Sequence, residues 1–336
     1  MQFSRLSVVV AAALTLNWVG LDLPVAPNTR SLLASATAQT ASDPWTEARR
    51  LLAQGEQQRK TSYYQEAFSS FQSALRIYRG DLTRAFNPQE SSFGEASALN
   101  SIGTLYWHVN QNQQALEYFQ QALPIFQSVG SRIGEAGVLM NLGVSYAELN
   151  QDQKAIEHLQ QALPIFRAVS DREGEAKTLM NLGASFNRLD QSQQAIDYFQ
   201  QALTIQQEIR NRQDEALTLT NLAVIYGSLR EYQQAIDYYR QALPIFRELD
   251  NRDMEGNLLA SIGRLYVDYD SPQSAIQFLQ QSLEVRESIR AANQQLPPQM
   301  QKSYVDSFAD DYRLLANLLT QQNREAEAQQ ILERLK

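Results

Sequence analysis

Cysteine is absent from the 336-residue chain and histidine occurs only twice, at His108 and His158. A thiol nucleophile, a thiolate metal site and any disulfide are thereby excluded, and two imidazoles leave little for an acid–base pair or a zinc cage. Glycine and proline are sparse, with 14 and 10 residues, which excludes collagen-like and low-complexity sequence. Positive charge is in deficit, 29 Lys and Arg against 37 Asp and Glu, for a formal net charge of −8. A surface that neutralises phosphates would work against that field, and no basic run is present, so nucleic acid is not an expected partner. No Gly-rich phosphate loop, paired-carboxylate pocket or Ser/His constellation stands out, so the sequence predicts no enzyme, no cofactor and no metal site.

What is present begins with a segment unlike the rest. Arg5 precedes an apolar run from Leu6 to Leu21, then Pro24 and Pro27, then small residues ending in Ala36-Thr37-Ala38. That is the build of a signal peptide over 1–38 with an A-x-A site, cut after Ala38. The alternative is an uncleaved anchor, but the run is shorter than the roughly 20 residues a spanning helix needs. The expected destination is the periplasm or the extracellular space, with no membrane span after cleavage.

From Glu95 to Arg290 the sequence returns on itself every 40 residues without insertion or deletion. Gln-Ala-Leu-Pro-Ile-Phe starts at 121, 161 and 241, and Asn-Leu-Gly starts at 141 and 181. A period of this size marks a solenoid array. Within one copy Leu139, Leu142, Gly143 and Tyr146 fall on one helical face, and Ala155, Leu159, Ala162 and Leu163 on another. Each copy therefore predicts two helices whose apolar faces are buried only by stacking on neighbours. The polar hinges 110–112, 150–152 and 190–192 offer N-cap acceptors, as do Ser131, Asp171, Asn211 and Asn251, and Ser271-Pro272 suits N-cap and first turn. Small residues recur at Gly103, Gly143, Gly183, Ala223 and Gly263, where helices must approach closely. Aromatics at 106, 146, 186, 226 and 266 are expected to fill the gap between hairpins. Pro124, Pro164 and Pro244 fall inside the second helix and are expected to bend it.

The spacing Leu-x2-Leu-Gly-x2-Tyr-x8-Ala-x3-Phe-x2-Ala, present from Leu99 to Ala122 with Ile102 for the second Leu, resembles the tetratricopeptide repeat. Degenerate copies continue it upstream (Leu51, Gly55, Ala67, Phe71, Ala74) and downstream (Tyr312, Leu315, Ala316, Ala328, Leu332). The expected organisation is a signal peptide (1–38), a degenerate repeat (39–79), a linker (80–94), five regular repeats (95–290), a linker (291–303) and a closing degenerate repeat (304–336). The resemblance implies an all-α, right-handed superhelical solenoid of about seven helix hairpins. The 40-residue period is similar to the repeats of kinesin light chain and of bacterial proteins in which such arrays precede a CHAT peptidase domain.

In such arrays the first helix of each hairpin lines a concave channel, and a ladder of asparagines holds the backbone of an extended peptide. The resemblance puts Asn141, Asn181 and Asn221 in that ladder, flanked by Ser101 and Ser261. An amide offers both donor and acceptor, which suits a peptide backbone, although each could equally tie neighbouring helices together. Trp107, His108, Lys177, Asn187, Arg188, Arg264 and Asp268 are the other inward candidates, varying from copy to copy where the core does not. The expected function is an exported, non-catalytic scaffold that binds a peptide or partner protein. The alternative is a regulatory subunit for a separately encoded CHAT-like peptidase or secretion machine.

Overall fold

The computed structural model describes residues 44–295 and 297–335. The expected signal peptide, its cut after Ala38 and the alternative of a retained anchor lie outside the described residues. Among the described residues there are sixteen α-helices and no strand. They group into two compact units divided between Ile205 and Gln206.

The first unit holds α1 (Pro44–Lys60), α2 (Tyr64–Tyr78), α3 (Asp81–Phe86), α4 (Pro88–His108), α5 (Asn112–Ser128), α6 (Arg132–Glu148), α7 (Asp152–Ala168) and α8 (Arg172–Arg188). Helix α9 (Ser192–Glu208) contains the division. The second unit holds α10 (Arg212–Ser228), α11 (Tyr232–Glu248), α12 (Arg252–Asp268), α13 (Pro272–Ala292), α14 (Pro298–Ser307), α15 (Ala309–Gln321) and α16 (Glu325–Glu333). Hairpins α1–α2, α4–α5 and α6–α7 pack as pairs in the first unit, and α10–α11, α12–α13 and α15–α16 in the second.

Hairpin packing requires the small residue of the first helix. A Cβ added at Gly143 would lie 2.6 Å from Cγ of Leu159 and 3.1 Å from the carbonyl oxygen of Ala155. One repeat earlier, a Cβ at Gly103 would meet the ring of Phe119. Mid-helix glycine costs about 1 kcal/mol against alanine, and the closeness of α6 to α7 offsets it with a fully buried Leu159. The recurring aromatics stack within hairpins at the half-buried margin of this contact. Ring centroids are 5.4 Å apart for Tyr106–Tyr118 and 5.2 Å for Phe186–Tyr198, and in the second unit 5.3 Å for Tyr226–Tyr238. His158 takes the tyrosine's place beside Tyr146, at 5.1 Å.

The hinges work differently from the sequence expectation. Asn110, Asn150, Asp190, Arg230 and Asp270 adopt left-handed backbone, with φ between 54° and 63°, as at Asn150 (56°) and Arg230 (63°). Gln151 N–H donates to the Tyr146 carbonyl at 2.9 Å and Asn150 N–H to that of Ala147 at 3.0 Å, which closes the C-terminus of α6 in a Schellman turn. The hinge polar residues are thus C-terminal caps. Gln111, Gln151, Glu231 and Ser271 make no side-chain N-cap bond, although Ser271 stands at the N-cap of α13 and Pro272 in its first turn, as expected. The other set of breaks behaves as expected. Side chains of Ser131, Asp171, Asn211 and Asn251 accept from the backbone N–H three residues on, at 3.3, 2.9, 3.1 and 3.2 Å. Asp171 also donates its own N–H to Phe166, so one residue ends α7 and starts α8.

A carboxylate ties these junctions together. Glu175 accepts from Arg172 on its own helix at 2.7 Å and from Arg167 of α7 at 2.8 Å, while itself buried. Glu255 is held the same way by Arg252 and Arg247 in the second unit. In each case one arginine lies three residues before the carboxylate on the same helix and the other eight residues before it, on the preceding helix.

Three expectations need correction. Residues 80–94 are no linker: α3 occupies 81–86, and Asn87 caps α4 by accepting from Glu90 N–H at 3.1 Å, with Pro88 in the first turn. In 291–303, α13 continues to Ala292 and α14 begins at Pro298, because Ala291 and Ala292 prolong the helix and Pro298 suits a new first turn. In the last repeat Ile331 is buried and Leu332 is 40% exposed, so the core position is one residue earlier. Helices α5, α7 and α11 continue through Pro124, Pro164 and Pro244.

Two stability changes are expected. Gly143→Ala should lower the thermal midpoint despite alanine's better helix propensity, because the added methyl must displace Leu159; a raised midpoint would contradict the close-approach explanation. Arg230→Gly should stabilise by about 0.5–1 kcal/mol in urea titration, since glycine takes φ near 60° without a Cβ penalty.

Candidate functional site

The first unit brings two of the candidates together, Trp107 of α4 and Asn141 of α6. Asn141 is buried on α6, and its Nδ2 donates to Oδ1 of Asn100 on α4 at 3.0 Å. That bond fixes the carboxamide beside a narrow, almost wholly apolar gap among the buried Thr104, Trp107, Phe119, Asn141 and Val144, with no room for a water molecule. Trp107 and Asn141, distant in sequence, thus share one site. Asn100, Thr104 and Phe119 were missed in the sequence. Asn100 precedes the ladder position by one residue where the next copies have Met140 and Met180, so its polarity was the available signal.

Other candidates are committed to protein partners. Ser101 donates to Glu56 of α1 at 2.8 Å. His108 Nε2 lies 2.7 Å from the guanidinium of Arg59, which also pairs with Glu56, and its ring stacks on Tyr64. Burial first, and then the adjacent Arg59 charge, push the His108 pKa down to about 4. The imidazole is therefore neutral near pH 7 and accepts from Arg59. Lys177 is buried and pairs with Glu173 one turn back, at 2.6 Å. Arg188 pairs with the buried Asp152 at the start of α7, at 2.7 Å, and its Nη2 donates to Ser185 at 3.2 Å. Asn181 and Asn187 are half-buried.

In the second unit Asn221 is buried on α10, and its Nδ2 has no hydrogen-bond partner. Ser261 hydrogen-bonds the buried Tyr239 phenol, whose pKa burial pushes up to about 12. Arg264 pairs with the buried Asp311 of α15, which also faces Arg286 of α13 at 3.0 Å. The Arg286 guanidinium in turn lies 3.5 Å from the centroid of the Phe308 ring. Asp268 is exposed. The expected ladder position thus has different surroundings in the two units: a tethered amide at Asn141 and an unpaired one at Asn221.

His158, whose Nδ1 lies 2.8 Å from the carbonyl of Lys154, belongs to the aromatic stacks rather than to this face. Among the described residues no helix is long and apolar enough to cross a membrane, and no group of three or more His, Asp or Glu is placed to hold a metal ion.

Solved structures share the fold at low identity. The signal transduction ATPase (STAND) with a tetratricopeptide repeat sensor from Pyrococcus horikoshii superposes with a TM-score of 0.69 at 15% identity, over 86% of this chain and 41% of its own. This chain therefore spans less than half of that protein. BtubC from P. vanneervenii gives 0.59 at 20% identity over 67% of this chain and 92% of its own. A Rap protein complexed with competence and sporulation factor gives 0.54 at 18% identity over 88% and 75%. No curated protein sequence matches the chain. The tetratricopeptide repeat family model matches residues 94–168, 134–208, 174–248 and 214–288, more than half of the sequence, and the chain belongs to that family.

Proposed function

We propose that this protein is an exported, non-catalytic scaffold that holds an extended peptide segment of a partner protein against the first helices of its hairpins. The observation that carries this reading is the Asn141 carboxamide, held in a fixed orientation by Asn100 of the neighbouring hairpin. A fixed amide can exchange hydrogen bonds with a peptide backbone, since it offers both donor and acceptor. The Rap protein above, described in complex with a competence and sporulation factor, is a precedent on a similar fold. Export rests on the sequence of residues 1–38 alone.

A regulatory reading stands beside it. The Pyrococcus ATPase carries its tetratricopeptide repeats as a sensor within one longer chain. The present chain would then serve as the sensing part for a separately encoded catalytic partner, such as a CHAT-like peptidase or a secretion machine.

Asn141→Ala and Asn221→Ala, tested separately against the wild type in pull-downs from the exported fraction, should each reduce partner recovery by about tenfold, the equivalent of ~1.4 kcal/mol. Equal recovery by all three proteins would remove the amides from the interface. Mass spectrometry of the exported chain should find Gln39 at its N-terminus, and a chain still starting at Met1 would remove the cleavage.

A further inference from the structure

His108 has a role that peptide binding does not use. It ends α4, and the same position in the following repeats holds Glu148, Arg188, Ser228 and Asp268. The Arg59 guanidinium of α1 reaches its Nε2 at 2.7 Å. A guanidinium has donors only, so the contact exists only while Nε2 keeps its lone pair and the ring proton sits on Nδ1. A proton on Nε2 would remove the acceptor and set two cations against each other at hydrogen-bond distance. Arg59 is buried there, where water screens poorly.

The surroundings do not absorb a second positive charge. At the end of α1, Glu56 and Lys60 flank Arg59, and Glu56 already accepts from Arg59 and from Ser101, each at 2.8 Å. From α2 come Tyr64, stacked on the imidazole, and the exposed Glu66; α4 itself adds the Trp107 ring edge-on at 5.0 Å. Helix α5 carries Glu117 and Tyr118, the latter stacked on Tyr106, and α6 carries Glu148, which responds to Arg188 and Asp152. Asp81 and Arg84 of α3 belong to the other part of α4, where Arg84 pairs with Glu95. Once His108 is charged, the cluster holds two cations for the one carboxylate of Glu56.

The two ends of the α1–α2 hairpin are held differently. At the end of α2, Ser91 of α4 donates to the Tyr78 carbonyl, the Tyr78 ring covers Gly94, and Arg79 pairs with Glu95 at 2.7 Å. None of these contacts involves an imidazole. At the α1–α2 turn the polar ties are Arg59–His108 and Ser101–Glu56.

We infer that His108 is an acid-operated latch: protonation of its imidazole releases the α1–α2 turn, residues 56–64, from the end of α4, while the Tyr78–Glu95 end stays docked. Release frees Ser101 and His108, both inward candidates, from α1. The docked imidazole has its pKa lowered from 6.5 to about 4. The docked form therefore prefers the neutral ring. Docking keeps its full strength above the ordinary value and weakens as pH falls towards the lowered one, by about twenty-fold between pH 7 and pH 5.

The test is hydrogen exchange read by mass spectrometry on the purified full chain and on His108→Gln, whose amide oxygen accepts from Arg59 at every pH. Comparing the two proteins at one pH cancels the pH dependence of intrinsic exchange. From pH 7 to pH 5 the exchange of amides 56–64 in the wild type should rise about twenty-fold relative to the variant, with no such change along α6–α8. A ratio independent of pH, or one that changes equally along α6–α8, would overturn the latch. Should the variant misfold, an NMR titration of the wild-type imidazoles, assigned with His158→Gln, decides the matter. His108 should still be neutral at pH 5, and a ring already charged there would overturn the proposal.

Discussion

The left-handed turn that ends each helix from α4 to α12 is the constraint on which the rest of the structure depends. A 17-residue helix and a three-residue turn recur through the regular repeats, as in α6, 149–151, α7 and 169–171. The turn satisfies the last carbonyls from within the chain and fixes where the next helix starts. It also fixes phase. Only because the connections do not vary do Gly103 and Gly143 face their partners at equivalent points, and only then do the aromatic pairs and the carboxylate clamps recur. The same registration brings Asn100 of one hairpin against Asn141 of the next. A family resemblance could indicate that an asparagine stands in the ladder; the registration determines what it touches.

Much of the fold was legible because the information was local or periodic. Helix pairs, their approximate ends, the small residues at the close approach and the caps at Ser131, Asp171, Asn211 and Asn251 all follow from spacing and side-chain chemistry. The hinges were misassigned for a physical reason. Asn, Asp and Ser serve both as N-caps and as left-handed turn residues, and the sequence does not display the sign of φ. The segment 80–94 was misassigned because it departs from the period, although Asn87-Pro88 is a serviceable helix start. Ile331 and Leu332 are adjacent apolar residues, and the choice between them turns on a rotation that a degenerate repeat does not specify.

The site was less legible because its properties arise between repeats. His108 looks like a ligand candidate in the sequence, and only the proximity of Arg59, 49 residues upstream, makes it a neutral acceptor. Arg188 and Lys177 resemble free recognition groups until Asp152 and Glu173 are seen to hold them. Glu148 is ordinary in the sequence, and its lack of a salt bridge emerges only once Arg188 is seen to pair with Asp152. Variation among copies thus marks two kinds of position, those that lock one hairpin to the next and those left available.

The invariant three-residue turns also restrict how such a molecule changes over generations. One extra residue inside a helix would rotate everything beyond it by about 100°, turning the small residues away from their partners and the amides into the core. A lengthened turn would forfeit the carbonyl bonds that close it. Whole modules escape both penalties, since an added or deleted unit restores the phase it interrupts. Natural diversity in this lineage should therefore come in steps of forty, with finer differences confined to substitution.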